Sequence, residues 1–181
     1  AMCMRFGPGW CELKDYIKDG TYGAVHSATF QRLGSLPPWS REFYADREKS
    51  GGALVDLHIH DADFVRFLFG DPSSVASTGT IDHVTTIYRF DDSPTHVIAE
   101  GAWDHASTWD FRMRAVVVFE KATVDFDLLR TPNLVIFEDE ERREIELPET
   151  NGYDGEVRHF CDLILGLSLI HISEPTRRLC I

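Results

Sequence analysis

Reactive side chains crowd into one short stretch, Asp56-Leu57-His58-Ile59-His60-Asp61-Ala62-Asp63. On a helix, Asp56 and His60 lie four apart and share a face, and Asp63 follows three residues later on the same face. A carboxylate beside an imidazole fixes its tautomer and raises its basicity, the arrangement that general acid–base catalysis uses near neutral pH. The same spacing also suits a buried histidine held by its carboxylate neighbour with no catalytic part. On a strand, His58 and His60 would instead point the same way and share a Zn²⁺, with Asp61 or Asp63 as a further ligand, which is a hydrolase chemistry. Its remaining ligands would have to come from His83, His96 or His105, none of which sits in a metal-binding motif. The sequence holds no G-x-G-x-x-G, P-loop or G-x-S-x-G, so it shows no site for a dinucleotide, for ATP or for a serine nucleophile.

The element that carries the stretch decides between these chemistries. Val55, Leu57 and Ile59 alternate like a strand, whereas Leu54, Leu57, Phe64, Val65 and Leu68 form a helical stripe. The span from Gly51 to Gly70 is too long for a usual strand and ends on Gly70-Asp71-Pro72, so a helix is predicted. Upstream, Trp10 to Lys18 reads as a short helix stopped by Gly20, and Gly23 to Phe30 as a strand. Gly34 to Trp39, with two prolines, opens a long loop that carries Trp39, Phe43 and Tyr44. Beyond Pro72 the pattern predicts strands at Ser74–Asp82, His83–Phe90, Thr95–Asp104, Trp109–Phe119, Ala122–Leu128, Leu134–Phe137 and Glu144–Leu147. Turns this short make successive strands mostly antiparallel neighbours. The expected fold is therefore α+β, a large open, mostly antiparallel or mixed sheet with helices on one face. Arg112, Arg114, Thr123, Asp125 and Asp127 alternate with Phe111, Met113, Val124 and Phe126, which gives the sheet one mixed and one apolar face and makes a sheet-to-sheet homo-oligomer the expected cover for the mixed one.

The chain has 181 residues, room for one good-sized domain, and its 18 basic against 30 acidic residues give a formal charge of −12 that repels phosphate backbones. Nucleic acid is not expected as a partner. At 43% hydrophobic and 12% aromatic a packed core is expected, and no apolar run reaches the length of a bilayer span. Cys3, Cys11, Cys161 and Cys180 lie singly, with no C-x-x-C pair, as in reduced cytoplasmic proteins.

These residues in this order resemble the second half of the glucose–fructose oxidoreductase/inositol dehydrogenase (Gfo/Idh/MocA) family. The resemblance rests on Met4-Arg5-Phe6-Gly7-Pro8, the helix ending Lys18-Asp19-Gly20, the strand opening Gly23-Ala24-Val25, and Gly51-Gly52 leading into Asp56-x-x-x-His60 and Asp61-x-Asp63. The fold it implies is the glyceraldehyde-3-phosphate-dehydrogenase-like C-terminal domain. It implies that residues 1–166 are this substrate-binding and oligomerisation domain, with residues 1–6 the end of the last strand of an N-terminal Rossmann domain. NAD or NADP would belong to the parent enzyme and none would bind this chain alone. Asp56 and His60 would be the catalytic pair exchanging the proton of a sugar or polyol hydroxyl, and Arg5, Arg32, Trp39, His58 and Asp63 would contact substrate, with dimers or tetramers formed through the sheet. Ser168 to Arg178 depart from the family and resemble a translated sequencing adaptor, so residues 167–181 are read as a non-native tail. A metal-dependent hydrolase on His58 and His60, or a non-catalytic sheet-pairing domain, are the competing readings.

Overall fold

The computed structural model describes residues 2–166, so the tail expected at 167–181 lies outside the described residues. Helix α1 (Pro8–Asp19) begins on a proline suited to a first helical turn and stops at left-handed Gly20. It is followed by strand β1 (Val25–Leu33). The segment expected to be one long loop is instead a 3₁₀ turn (Pro38–Ser40) and two short helices, α2 (Arg41–Ala45) and α3 (Arg47–Ser50). Asp46 caps α3 by accepting from the Glu48 amide, a local signal that the prolines upstream obscured.

The predicted helix is present but divided at Leu57 into α4 (Gly52–Asp56) and α5 (His58–Phe69). Its start depends on Gly51 and Gly52, both in the left-handed region at φ 73° and 66°. A Cβ on Gly52 would also stand 2.6 Å from the Ile81 carbonyl oxygen. Strands β2 (Ser74–Gly79), β3 (His83–Arg89), β4 (His96–Ala102), β5 (Arg112–Phe119), β6 (Thr123–Asp127), β7 (Leu134–Phe137) and β8 (Arg142–Ile145) follow, and α6 (Gly152–Ile164) completes the described chain. Cys3–Phe6 forms a 3₁₀ turn packed on α6 rather than the end of a strand, a correction to the reading of residues 1–6.

The eight strands form one sheet in the order β2-β3-β4-β1-β5-β6-β7-β8. Every neighbouring pair is antiparallel except β1 with β4, which run parallel with Ser27 opposite His96. Sequence neighbours β4 and β5 are thus separated by β1, an insertion that no turn-length argument detects because it arises from an earlier part of the chain. The helix-covered face holds Phe30, Val97, Ala99, Ala115, Val117 and Val124 beneath Trp10 and Leu13 of α1 and Phe64 and Val65 of α5. Trp10 is the hub, meeting Phe64 at 5.1 Å and Phe126 at 5.0 Å edge-on. The opposite face carries the row Ile87, Ile98, Thr29, Val116, Asp125 in register across five strands. Asp125 there is paired with Arg114 at 3.0 Å and Arg130 at 2.6 Å, so this face is mixed as expected.

Two of the positive-φ glycines at helix ends, Gly20 and Gly52, separate conformational from steric cost. A Cβ at Gly20 (φ 66°) meets nothing within 4 Å, so Gly20→Ala is expected to lose only about 1–2 kcal/mol. Gly52→Ala adds a collision with backbone and is expected to lose at least about 3 kcal/mol, read from urea unfolding curves of the two variants.

Candidate active site

Where β1 and the helices meet, the surface opens into a cleft of about 570 Å³. Its walls come from the start of α1 (Gly7 to Trp10), the end of β1 (Arg32) and the junction of α4 and α5 (Asp56, Leu57, His60), with aromatic side chains Trp39, Tyr44, Trp103 and Tyr153 around it. A cleft with apolar rings and a few convergent polar groups is the usual form of a small-molecule site.

Asp56, His60, Arg32 and Trp39 all line this cleft. Asp56 and His60 are not hydrogen-bonded to each other. The break at Leu57 interrupts the helical ladder between them, so the four-residue spacing no longer guarantees contact. Each faces the cleft separately. Burial pushes the Asp56 carboxyl above its usual value. Burial, aided by the Arg32 charge, pushes His60 down to about 4, and its Nδ1 has no partner. His60 is therefore neutral near pH 7, the protonation state in which a ring nitrogen can accept a proton. Trp39 is 78% exposed and leans edge-on against Tyr44, whose other edge contacts Trp103.

The remaining expected substrate contacts fall elsewhere. Asp63, with its side chain 2% exposed, does not share the cleft with His60 but is locked to Arg5 through two bonds of 2.5 and 2.8 Å, and Arg5 also lies over the Phe67 ring at 4.7 Å. Arg5 and Asp63 thus spend their charges on one another and tie the start of the chain to α5. His58 is not on the cleft wall either. It is buried under the sheet, its Nε2 2.8 Å from the Thr86 hydroxyl, and it fits only because residue 101 of β4 is glycine, where a Cβ would sit 3.1 Å from the His58 Cβ. His58 and His60, two apart on a helix, point into different surroundings, which removes the shared-metal geometry. Among the described residues no group of three or more His, Cys, Asp or Glu side chains is placed to hold a metal.

Sequence reasoning gave Asp61 no part in the cleft. It is 1% exposed, 3.5 Å from the Arg32 Nε and 4.0 Å from the His58 Nδ1, and burial raises its carboxyl to about 6. Its pairing with Arg32 leaves no trace in the local spacing, because Arg32 arrives from a distant strand.

Comparisons with known proteins identify the family of the chain. The family model for the GFO/IDH/MocA C-terminal domain matches residues 10–125. Myo-inositol dehydrogenase Hyg17 of Streptomyces leeuwenhoekii is 28% identical over 135 residues, 67% of this chain and 39% of its own length. Inositol 2-dehydrogenase of Rhizobium meliloti is 39% identical over 79 residues, 42% of this chain and 22% of its own. Among solved structures, UDP-N-acetylglucosamine 3-dehydrogenase from Acidithiobacillus ferrooxidans superposes with a TM-score of 0.69 at 19% identity, covering 92% of this chain and 52% of that one. A levoglucosan dehydrogenase in complex with NADH and levoglucosan gives 0.66 at 21% identity, covering 86% and 48%. The chain spans well under half the length of the curated relatives it matches.

The buried titratable groups predict how stability follows pH. His58 and His60 have native values near 4 against 6.5 when unfolded, so their contribution is full above pH 6.5 and is lost as pH falls from 6.5 toward 4. Asp61, raised from 3.8 to about 6, acts in the opposite sense, its contribution being full below 3.8 and lost as pH rises toward 6. Urea unfolding between pH 4.5 and 7 should show stability declining toward acid, less steeply in His58→Gln and more steeply in Asp61→Asn. A decline of equal slope in all three proteins would contradict these assignments.

Proposed function

Because the chain belongs to the Gfo/Idh/MocA family through its C-terminal domain, we propose that it supplies the substrate-binding surface, the acid–base group and the subunit interface of an NAD(P)-dependent oxidoreductase acting on a hydroxyl of a sugar or polyol. The observation that carries the reading is the neutral His60 imidazole facing an aromatic-walled cleft beside Asp56 and Arg32. Aromatic rings such as Trp39 and Tyr44 suit the apolar faces of a sugar ring, and Arg32 and Asp56 suit its hydroxyls.

Hydride transfer belongs to the part of the enzyme that binds NAD or NADP. What the chain's own groups do is hold the polyol and accept or return the hydroxyl proton at a ring nitrogen of His60. Asp56, partly buried and without a bonded cation, is placed to hydrogen-bond the substrate or to join His60 once a ligand closes the gap. The relatives' names, inositol and levoglucosan dehydrogenases, support a polyhydroxylated substrate. The mixed outer sheet face, with Ile87, Ile98 and Val116 in one row, supports a homodimer or larger oligomer formed through it. The hydrolase reading loses its support with the separation of His58 from His60.

In the intact oxidoreductase, His60→Ala is expected to lower turnover by about 10²–10⁴-fold with cofactor affinity nearly unchanged, and Asp56→Asn to lower it to a lesser degree. His58→Ala is expected to act mainly on stability, because its ring is packed against Gly101 and Thr86 rather than exposed to substrate. Steady-state kinetics with thermal melts of the three variants check this, and a larger turnover loss for His58→Ala than for His60→Ala at equal stability would refute it. Light scattering should give a mass of at least two chains, and a monomer at working concentration would remove the interface from the proposal.

A further inference from the structure

The described residues leave six buried side-chain polar atoms without a hydrogen-bond partner, and four of them, Arg32 Nε, His58 Nδ1, His60 Nδ1 and Asp61 Oδ2, belong to one cluster at the cleft floor. Orphaned buried polar atoms are rare, and a concentration of them calls for a physical reason. Arg32 lines the cleft, whereas Asp61 and His58 lie behind it. Asp61 is the one carboxylate paired with Arg32 among the described residues, at 3.5 Å, and the other contact of the guanidinium is the Met4 sulfur. Behind Asp61 the chain of contacts continues through His58 to Thr86 and from Thr86 to Ser77 at 2.9 Å, so the carboxylate is backed by two strands.

A buried ion pair of this kind gives the fold little, because desolvating both charges offsets their attraction, and apolar residues of the same volume often serve as well. What it does supply is a fixed direction for a planar cationic fork. Resting on the reading of the cleft as a polyol site, we propose that Asp61 is a positioning residue, which holds the Arg32 guanidinium against the cleft so that its free edge meets a substrate hydroxyl. The charged and titratable groups that face Asp61 are Arg32 from β1, Tyr88 from β3 and His58 from its own helix. Arg32 is thus the one permanent charge that titration of Asp61 leaves unbalanced.

The test uses the 181-residue chain, nitrogen-15 labelled, with NMR of the arginine Nε–H groups and myo-inositol as probe. In the wild type the Arg32 Nε–H is expected to exchange slowly at pH 7, to shift further downfield on adding inositol, and to lose protection as pH falls through about 6. Asp61→Asn is expected to exchange fast at every pH and to bind inositol about tenfold or more weakly, the value of a hydrogen bond to a charged group. Arg32→Lys should weaken binding by a similar factor, and the double variant by no more than either single one. An Arg32 Nε–H whose exchange ignores both Asp61→Asn and the pH step overturns the proposal, and the wild-type titration decides this even where the variant does not fold. If inositol perturbs no cleft residue of the wild type, the polyol reading fails, while the exchange measurements made without ligand still decide the role of Asp61.

Discussion

The inward face of α5 carries charges, and the rest of the structure is arranged around the need to satisfy them. Phe64 and Val65 dock on the sheet in the ordinary way, but His58, Asp61 and Asp63 are buried on the same helix. A carboxylate removed from water without a partner is worth several kcal/mol against the fold. Each therefore recruits a group from a different part of the chain: Arg5 from the N-terminal turn for Asp63, Arg32 from β1 for Asp61, and Thr86 from β3 for His58. Three partners from three directions fix the rotation of α5 about its axis. That rotation is what brings His60 to the cleft instead of the core.

The same constraint explains which parts of the architecture were legible in the sequence. Helix α1, the existence of the helix after the glycine pair, and most strands followed from periodicity and turn residues, because those signals are local. Leu134–Phe137 was read to its limits, while Trp109 to Phe111 fell outside β5 once the chain bent there. The glycine pair was visible as a motif, and its left-handed backbone gives the physical reason. The place of β1 between β4 and β5 was not legible, since that pairing joins segments far apart in the chain.

Of the residues the sequence offers as a candidate site, His60, Asp56, Arg32 and Trp39 line one cleft. Their mutual contacts were not. The spacing of Asp56 and His60 promises a bonded pair only along an unbroken helix, and nothing in Leu57 announces the break. Asp63 and Arg5 were expected to contact substrate, and only the fold shows that they pair with one another. The sequence offered Asp61 only as a possible metal ligand, because its partner Arg32 is a strand away.

The account stands on the claim that His60, and not His58, meets the reacting hydroxyl. A crystal structure of the intact oxidoreductase with its cofactor and a bound polyol measures this directly. The account predicts a His60 ring nitrogen within hydrogen-bond distance of the substrate hydroxyl, with His58 still held by Thr86 beneath the sheet. A hydroxyl bound by His58, or a polyol seated away from His60 altogether, would contradict it.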